Sequence, residues 1–294
     1  MKYMFEAAKT LIEDAKKIVV VQAENPDGDS LGSSLALEEI LGDLGKDVQL
    51  HCPVEIPKYL RYVSGWDRVV AEFNSQADLI IIVDTTAEIL LSKSLEIPGV
   101  RHALESKQVL VIDHHISAST LSFENILLTQ EAVSTSEVIY HLAEQAGWNI
   151  NKQAAENLLI ALMSDSRGLT TPSSTAESFY VAGKLTELGA SNFAIEERRR
   201  EFMKKAPEIL EYKGQLIQRI EYFLDGKLAL VHIPFEDIQE YSDKYNPSVL
   251  VLDEMRLVEG VEVAIAVKTY PDGKLTGKLT TSQSEKLSTL SQKY

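Results

Sequence analysis

The chain has 294 residues, a formal net charge of -15, 45% hydrophobic and 25% charged residues, and a single cysteine. That length allows about two domains with cores of their own, the composition excludes a disordered, collagen-like or disulfide-built chain, and the acidity excludes a wide basic footprint for duplex nucleic acid. No apolar run approaches the ~18 residues of a membrane-spanning helix, the N-terminal stretch with Lys2, Glu6 and Lys9 has no apolar signal core, and the lone Cys52 fits a reducing compartment, so a soluble, cytoplasmic protein without membrane contact is the expectation.

In chain order, strands and helices alternate. Residues 17–24 carry Ile18-Val19-Val20-Val21, residues 47–52 alternate, residues 78–84 hold Leu79-Ile80-Ile81-Ile82-Val83, and residues 108–113 hold Val109-Leu110-Val111-Ile112. Continuous β-branched runs of this kind read as buried parallel strands, and the helical segments between them (31–44, 134–147, 152–163 and 175–188) complete an α/β fold with a doubly wound parallel sheet. Gly147 and Gly189 stand where helices favour glycine at their ends. Most of the excess acid lies before Gly189.

Beyond Ala190 the character changes. A charged helical stretch with Glu196, Glu197, Arg198, Arg199, Arg200 and Glu201 reads as a connector with a solvated face, followed by a helical pattern over 208–223. A strand at 227–233, helices near 234–242 and 249–257, and two strands flanking Pro271-Asp272-Gly273-Lys274 make a second, smaller α+β domain. The Asp-Gly step supplies the positive backbone angles of a tight hairpin.

The chemistry gathers at strand ends. Asn25-Pro26-Asp27-Gly28-Asp29-Ser30 follows the first strand directly, Asp84 closes another, and Asp113-His114-His115 closes a third. The C-terminal ends of parallel strands share one edge, where ligands bind. Carboxylates crowded there repel one another unless cations lie between them, which favours a metal site. Asp165, after the helical run 157–163, supplies a further arm. Oxygen donors with one or two imidazoles and no thiolate suit Mn²⁺ or Mg²⁺. A pair of such ions suits hydrolysis of a phosphate ester by an activated water. A calcium loop starting at Asp27 is a poor alternative, because Leu31 occupies a ligating position and a strand precedes it.

Asn25-Pro26-Asp27-Gly28-Asp29-Ser30-Leu31-Gly32-Ser33, Val83-Asp84-Thr85, Asp113-His114-His115 and Asp165-Ser166-Arg167-Gly168, in that order, resemble the four motifs of the DHH phosphoesterase family. The likeness is strongest to its branch of bifunctional oligoribonucleases and pAp phosphatases. It implies a DHH domain over 1–189, a helical linker over 190–224 and the family's associated C-terminal domain over 225–294. It also implies two Mn²⁺ ions, with Asp27 on one, Asp29, His114 and Asp165 on the other, and Asp84 bridging them. His115 would contact the substrate phosphate and Asp113 would orient the histidines. The implied activity is that of a hydrolase acting on short single-stranded RNA or a nucleotide such as pAp. A cyclic-dinucleotide phosphodiesterase or a weakened metal- or nucleotide-binding protein is the alternative, and a homodimer is an open arrangement.

Two departures qualify the resemblance. The family's first motif usually has a metal-binding histidine where this chain has Ala23, so the first metal site lacks one ligand, with Glu24 and Gln22 as the nearest substitutes. The C-terminal domain lacks the family's arginine on the strand that here reads Lys278-Leu279-Thr280-Thr281, and the chain ends at Gln292-Lys293-Tyr294, about where a glycine-rich loop would begin, so that domain reads as shortened.

Overall fold

The computed structural model describes residues 2–281. The chain divides into two compact units between Met203 and Lys204. The first contains, in order, α1 (Lys2–Asp14), β1 (Lys17–Val21), α2 (Gly28–Asp43), β2 (Asp47–His51), β3 (Val69–Val70), β4 (Leu79–Val83), the short α3 (Ser92–Glu96) and α4 (Val100–Ser106), β5 (Gln108–Asp113), β6 (Ile126–Thr129), α5 (Thr135–Ala146), α6 (Lys152–Asp165), α7 (Ala176–Glu187) and α8 (Asn192–Phe202). Its six strands pair in parallel in the order β3-β2-β1-β4-β5-β6. The four strands read from the sequence form the centre of this sheet, with β3 and β6 added at its edges.

Every residue of Leu79–Val83 is buried because both faces of the sheet are covered. Ile18, Val20, Ile81 and Leu110 pack into the core formed with α1, α2, α5 and α6. Val19, Ile80, Ile82 and Val111 pack on the other face against Val100, Ala103 and Leu104 of α4. That two-sided burial is why these strands appear in sequence as unbroken apolar runs. Among the described residues no helix is long and apolar enough to cross a membrane.

The second unit comprises α9 (Pro207–Gln218), β7 (Glu221–Phe223), β8 (Leu228–Ile233), α10 (Phe235–Tyr241), α11 (Pro247–Arg256), β9 (Val263–Thr269) and β10 (Leu275–Thr281), with sheet order β10-β9-β8-β7. Its core joins Ile209, Tyr212 and Leu216 of α9 and Leu250, Val251 and Met255 of α11 to Val231 and Ala264 of the sheet. The β9–β10 hairpin turns through Gly273 at φ +81°. The helical pattern expected to run to residue 223 stops at Gln218, and its last three residues form β7 instead. Leu224, Asp225 and Gly226 all take positive φ, which folds Tyr222 and Phe223 back against β8.

The stretch 190–224, read as a linker, is shared between the two units. Ile195 of α8 enters the first core and α9 builds the second. The three consecutive arginines of α8 are paired, Arg198 with Glu156, Arg199 with Glu196 and Arg200 with Glu197. The chain end at Gln292-Lys293-Tyr294 lies outside the described residues.

One crossing sets up the geometry that follows. Helices α2 and α6 touch backbone to backbone because Gly32 has no side chain: a Cβ there would lie 2.6 Å from the Asn157 carbonyl oxygen and 2.9 Å from Ala161 Cβ. Glycine inside a helix is unfavourable by about 0.5–1 kcal/mol relative to alanine, so its place here reflects packing. Gly32→Ala is therefore expected to lower stability by about 1–3 kcal/mol despite the better helix propensity, as measured by urea unfolding. A stability equal to or above the parent's would show that the two helices can separate freely.

Candidate metal centre

The strand order reverses direction between β1 and β4, and the loops leaving β1, β4 and β5 open at that point. In sheets of this kind the crevice at the reversal is where ligands sit. Asp27 is the N-cap of α2: its carboxylate accepts from the Ser30 N–H at 3.0 Å, and Ser30 Oγ answers its backbone N–H. Asp29, in the first turn of α2, is fully buried. Its Oδ1 accepts from Ser33 Oγ at 3.0 Å and its Oδ2 from the Thr135 backbone N–H at 2.7 Å. Asp84 leaves β4 with φ +63°, a left-handed conformation that a non-glycine residue rarely takes, and its Oδ1 accepts from Thr135 Oγ1 at 3.0 Å.

Asp113 ends β5, fully buried, and its Oδ1 gathers three donors: the His114 N–H at 2.8 Å, the His115 N–H at 3.1 Å and His115 Nδ1 at 2.7 Å. That carboxylate fixes the backbone carrying both histidines and the ring of the second. His114 is fixed from another side. Its Nδ1 lies 3.1 Å from the Ala132 carbonyl, which can only accept, so Nδ1 carries the hydrogen and Nε2 faces the pocket. Nε2 lies 3.8 Å from Asp29 Oδ2, 3.6 Å from Asp84 Oδ1 and 3.4 Å from Asp165 Oδ2. Asp165 comes from the last turn of α6, which contains no basic residue, so a carboxylate stands at the negative end of a helix dipole.

Two groups of donor atoms meet here, Asp29 with His114 and Asp165, and Asp84 with Asp113, His114 and His115. Asp27 belongs to neither, although its charge acts on Asp29 and Asp84. His114 Nε2 and Asp113 Oδ2 are buried with no hydrogen-bond partner. Buried polar atoms without a partner call for an explanation, and a cation supplies one. An ion about 2.1 Å from each donor sets neighbouring donors roughly 3.0–3.4 Å apart, somewhat closer than the 3.4–3.8 Å found around His114 Nε2. Hard oxygen donors with imidazole and no thiolate suit Mn²⁺ or Mg²⁺.

The electrostatics carry the same message. Burial, then the Asp165 charge, push the Asp29 carboxyl up to about 7, with His114 opposing. Burial and the neighbouring Asp29, Asp27, Asp165 and Asp113 hold Asp84 well above the usual carboxylate range. For His114 burial acts downward, but the facing carboxylates of Asp165 and Asp29 outweigh it and push the ring up to about 9. His115 is raised mainly by its bond to Asp113, against the effect of burial. The metal-free pocket therefore keeps protons in the positions cations would take.

Ser33, which the sequence shows only as the end of the first motif, and Thr135 have no role legible in the sequence. Thr135 carries only the pattern of a helix start, and its contact with Asp29 spans 106 positions. Of the substitutes considered for the histidine absent at Ala23, Glu24 is committed elsewhere: its carboxylate accepts from Ser92 Oγ and the Lys93 N–H, both at 2.9 Å. Gln22 is fully buried, with both amide atoms unpartnered. Ser166, beside Asp165, donates to the Leu162 carbonyl and accepts from the Leu169 N–H, which ties down the loop.

Residues 17–163 match the model of the DHH family, N-terminal domain. Among curated proteins, the chain is 23% identical over 258 residues to the bifunctional oligoribonuclease and PAP phosphatase NrnA of Thermus thermophilus, covering 87% of this chain and 74% of that one. It is 28% identical over 238 residues to a probable manganese-dependent inorganic pyrophosphatase of Enterococcus faecalis, covering 78% and 74%. Among solved structures, an exopolyphosphatase-related protein from Bacteroides fragilis superposes with a TM-score of 0.84 at 22% identity, over 96% of this chain and 84% of that one, which establishes a shared fold.

The raised groups predict a pH dependence with a definite sign. A carboxyl raised from 3.8 to about 7 and an imidazole raised from 6.5 to about 9 both stabilise the metal-free fold at low pH, and that contribution fades as pH climbs through 7 and then 9. The same groups must shed protons to hold a cation. The rise in Tm caused by Mn²⁺ is therefore expected to grow from about pH 5 to about pH 9, with protons released on binding, as read by scanning fluorimetry and by calorimetry in buffers of different ionisation enthalpy. A metal-induced shift that is flat across that range would refute this assignment of the protons.

Proposed function

The chain belongs to the DHH family, and from that membership we propose that it is a metal-dependent phosphoesterase hydrolysing short nucleotide substrates, oligoribonucleotides or pAp. The observation carrying this reading is the buried His114 Nε2, partnerless and faced by oxygens of Asp29, Asp84 and Asp165 at 3.4–3.8 Å. A pocket this acidic repels a phosphate unless cations neutralise it, so the donor set and an anionic substrate require each other.

Asp29, His114 and Asp165 would hold one Mn²⁺, Asp27 another, and Asp84 both. Such ions supply Lewis acidity toward phosphoryl oxygens and lower the pKa of water. His115 is half exposed while its Nδ1 is held by Asp113, which also favours the imidazolium form, and in that form Nε2–H is free to donate to a phosphoryl oxygen as negative charge builds there. Asp113 keeps that ring oriented and protonated at Nδ1. Short substrates fit the net charge of -15 and the pairing of each of the three arginines of α8 with a glutamate, since tracking a long backbone takes many free cations.

A second reading, a metal- or nucleotide-binding protein with little turnover, draws on Ala23. With alanine at that position and Glu24 accepting from the Lys93 N–H, an ion at Asp27 would have fewer donors and would be held more weakly than one at His114.

The test is a Mn²⁺ titration of the full chain with product measured on a dinucleotide RNA, pAp, a cyclic dinucleotide and pyrophosphate. Turnover of the first two is expected, and uptake of Mn²⁺ without product on any of the four would leave only the binding protein. Asp84→Asn should weaken binding of both ions and cut kcat by on the order of 100-fold or more, whereas Ala23→His should tighten the weaker ion about 10-fold and raise activity. An Asp84→Asn variant with the parent's kcat would remove Asp84 from the bridging role.

A further inference from the structure

We propose that Thr135 is a positioning residue of this centre, holding Asp29 and Asp84 so that their acceptor atoms converge on the cation pocket. The inference rests on the metal reading above and assigns a role to a residue outside the four motifs. Thr135 is fully buried and is the first residue of α5. From one position it donates twice, to two acids from different parts of the chain: its backbone N–H goes to Asp29 Oδ2 at 2.7 Å and its hydroxyl to Asp84 Oδ1 at 3.0 Å.

The surroundings leave little freedom in that arrangement. Ser33 Oγ already occupies the other oxygen of Asp29, so this carboxylate is held at both ends. Ser134, the N-cap of α5, does not cap its own helix; its hydroxyl pairs with Ser136 Oγ at 2.6 Å. Asp29 meets the exposed N–H of the first turn in its place, and the positive end of the helix favours the ionised carboxylate. A hydroxyl has one hydrogen to give. Thr135 gives it to Asp84, whose backbone already sits at φ +63°, which selects one rotation of that carboxylate and holds Oδ1 3.6 Å from His114 Nε2. Two buried acids kept oriented by donors on one residue form a preorganised site, for which ion binding requires little rearrangement.

The test compares Thr135→Val, which keeps the shape and the N–H but loses the hydroxyl, with Thr135→Ser, which keeps the hydroxyl, in the full chain. Mn²⁺ affinity is read by calorimetry, the environment of the bound ion by its electron paramagnetic resonance spectrum, and kcat and KM separately on a dinucleotide RNA. Thr135→Val is expected to lose about 10–100-fold in Mn²⁺ affinity, to change the spectrum and to lower kcat with little change in KM, while Thr135→Ser stays within about threefold of the parent. If the valine variant does not fold, Thr135→Ala removes the hydroxyl without setting a methyl against the carboxylates and is read by the same measures. Parent affinity and an unchanged spectrum in a folded variant lacking the hydroxyl overturn the positioning role and leave the metal reading intact. A parent chain that takes up no Mn²⁺ overturns both.

Discussion

Carboxylates brought together out of water repel strongly, and two of them a few ångströms apart in a poorly polarisable interior oppose each other by several kcal/mol, on the order of what a whole domain has in reserve. The first unit brings Asp27, Asp29, Asp84, Asp113 and Asp165 to one sheet edge and distributes hydrogen-bond donors among them unequally. Asp113 takes three donors on a single oxygen, and Asp29 takes one on each oxygen. Asp84 takes one from Thr135, and Asp165 is left facing His114 Nε2. Donors that orient a carboxylate without neutralising it leave a net negative pocket, and such a pocket attracts cations.

The scaffold makes this crowding tolerable. A parallel sheet with helices on both faces places three strand ends at one point, and the reversal of strand order there opens space that side chains do not fill. The α2–α6 contact through Gly32 lets the start of one helix and the end of the other approach closely, so Asp29 and Asp165 meet although they are far apart along the chain. Helix dipoles enter with both signs. The start of α5 favours the charge on Asp29, whereas Asp165 at the end of α6 opposes its own helix and faces His114 Nε2 at 3.4 Å.

The Ala23 position makes the centre asymmetric. The group around His114 has imidazole and carboxylate donors held by several hydrogen bonds. The side of Asp27 has a carboxylate already engaged in capping α2 and no imidazole at the preceding strand end. Glu24 is drawn to the start of α3, and the buried amide of Gln22 has no partner. On the proposed reading, the side of His114 would hold a cation more strongly than the side of Asp27.

Much was legible in the sequence for identifiable reasons. Leu79-Ile80-Ile81-Ile82-Val83 announced a buried parallel strand because burial on both faces removes polar alternation, and Asp272-Gly273 announced a hairpin because few residues accept positive φ. The acids and histidines at strand ends were legible because their chemistry is carried by contiguous residues. Strands β3, β6 and β7 were not: they are short edge strands that exist by pairing with a neighbour, and Tyr222-Phe223 continues a helical pattern until Leu224, Asp225 and Gly226 turn the chain. Equally hidden were the paired arginines of α8, the commitment of Glu24 to Lys93, and the bond from Thr135 to Asp29 across 106 positions. Local sequence determined which residues could ligate and which segments could be strands, since those are properties of residue type and spacing. Only the tertiary structure decided which donor each carboxylate received, because a hydrogen bond between distant residues depends on where the packed backbone places them.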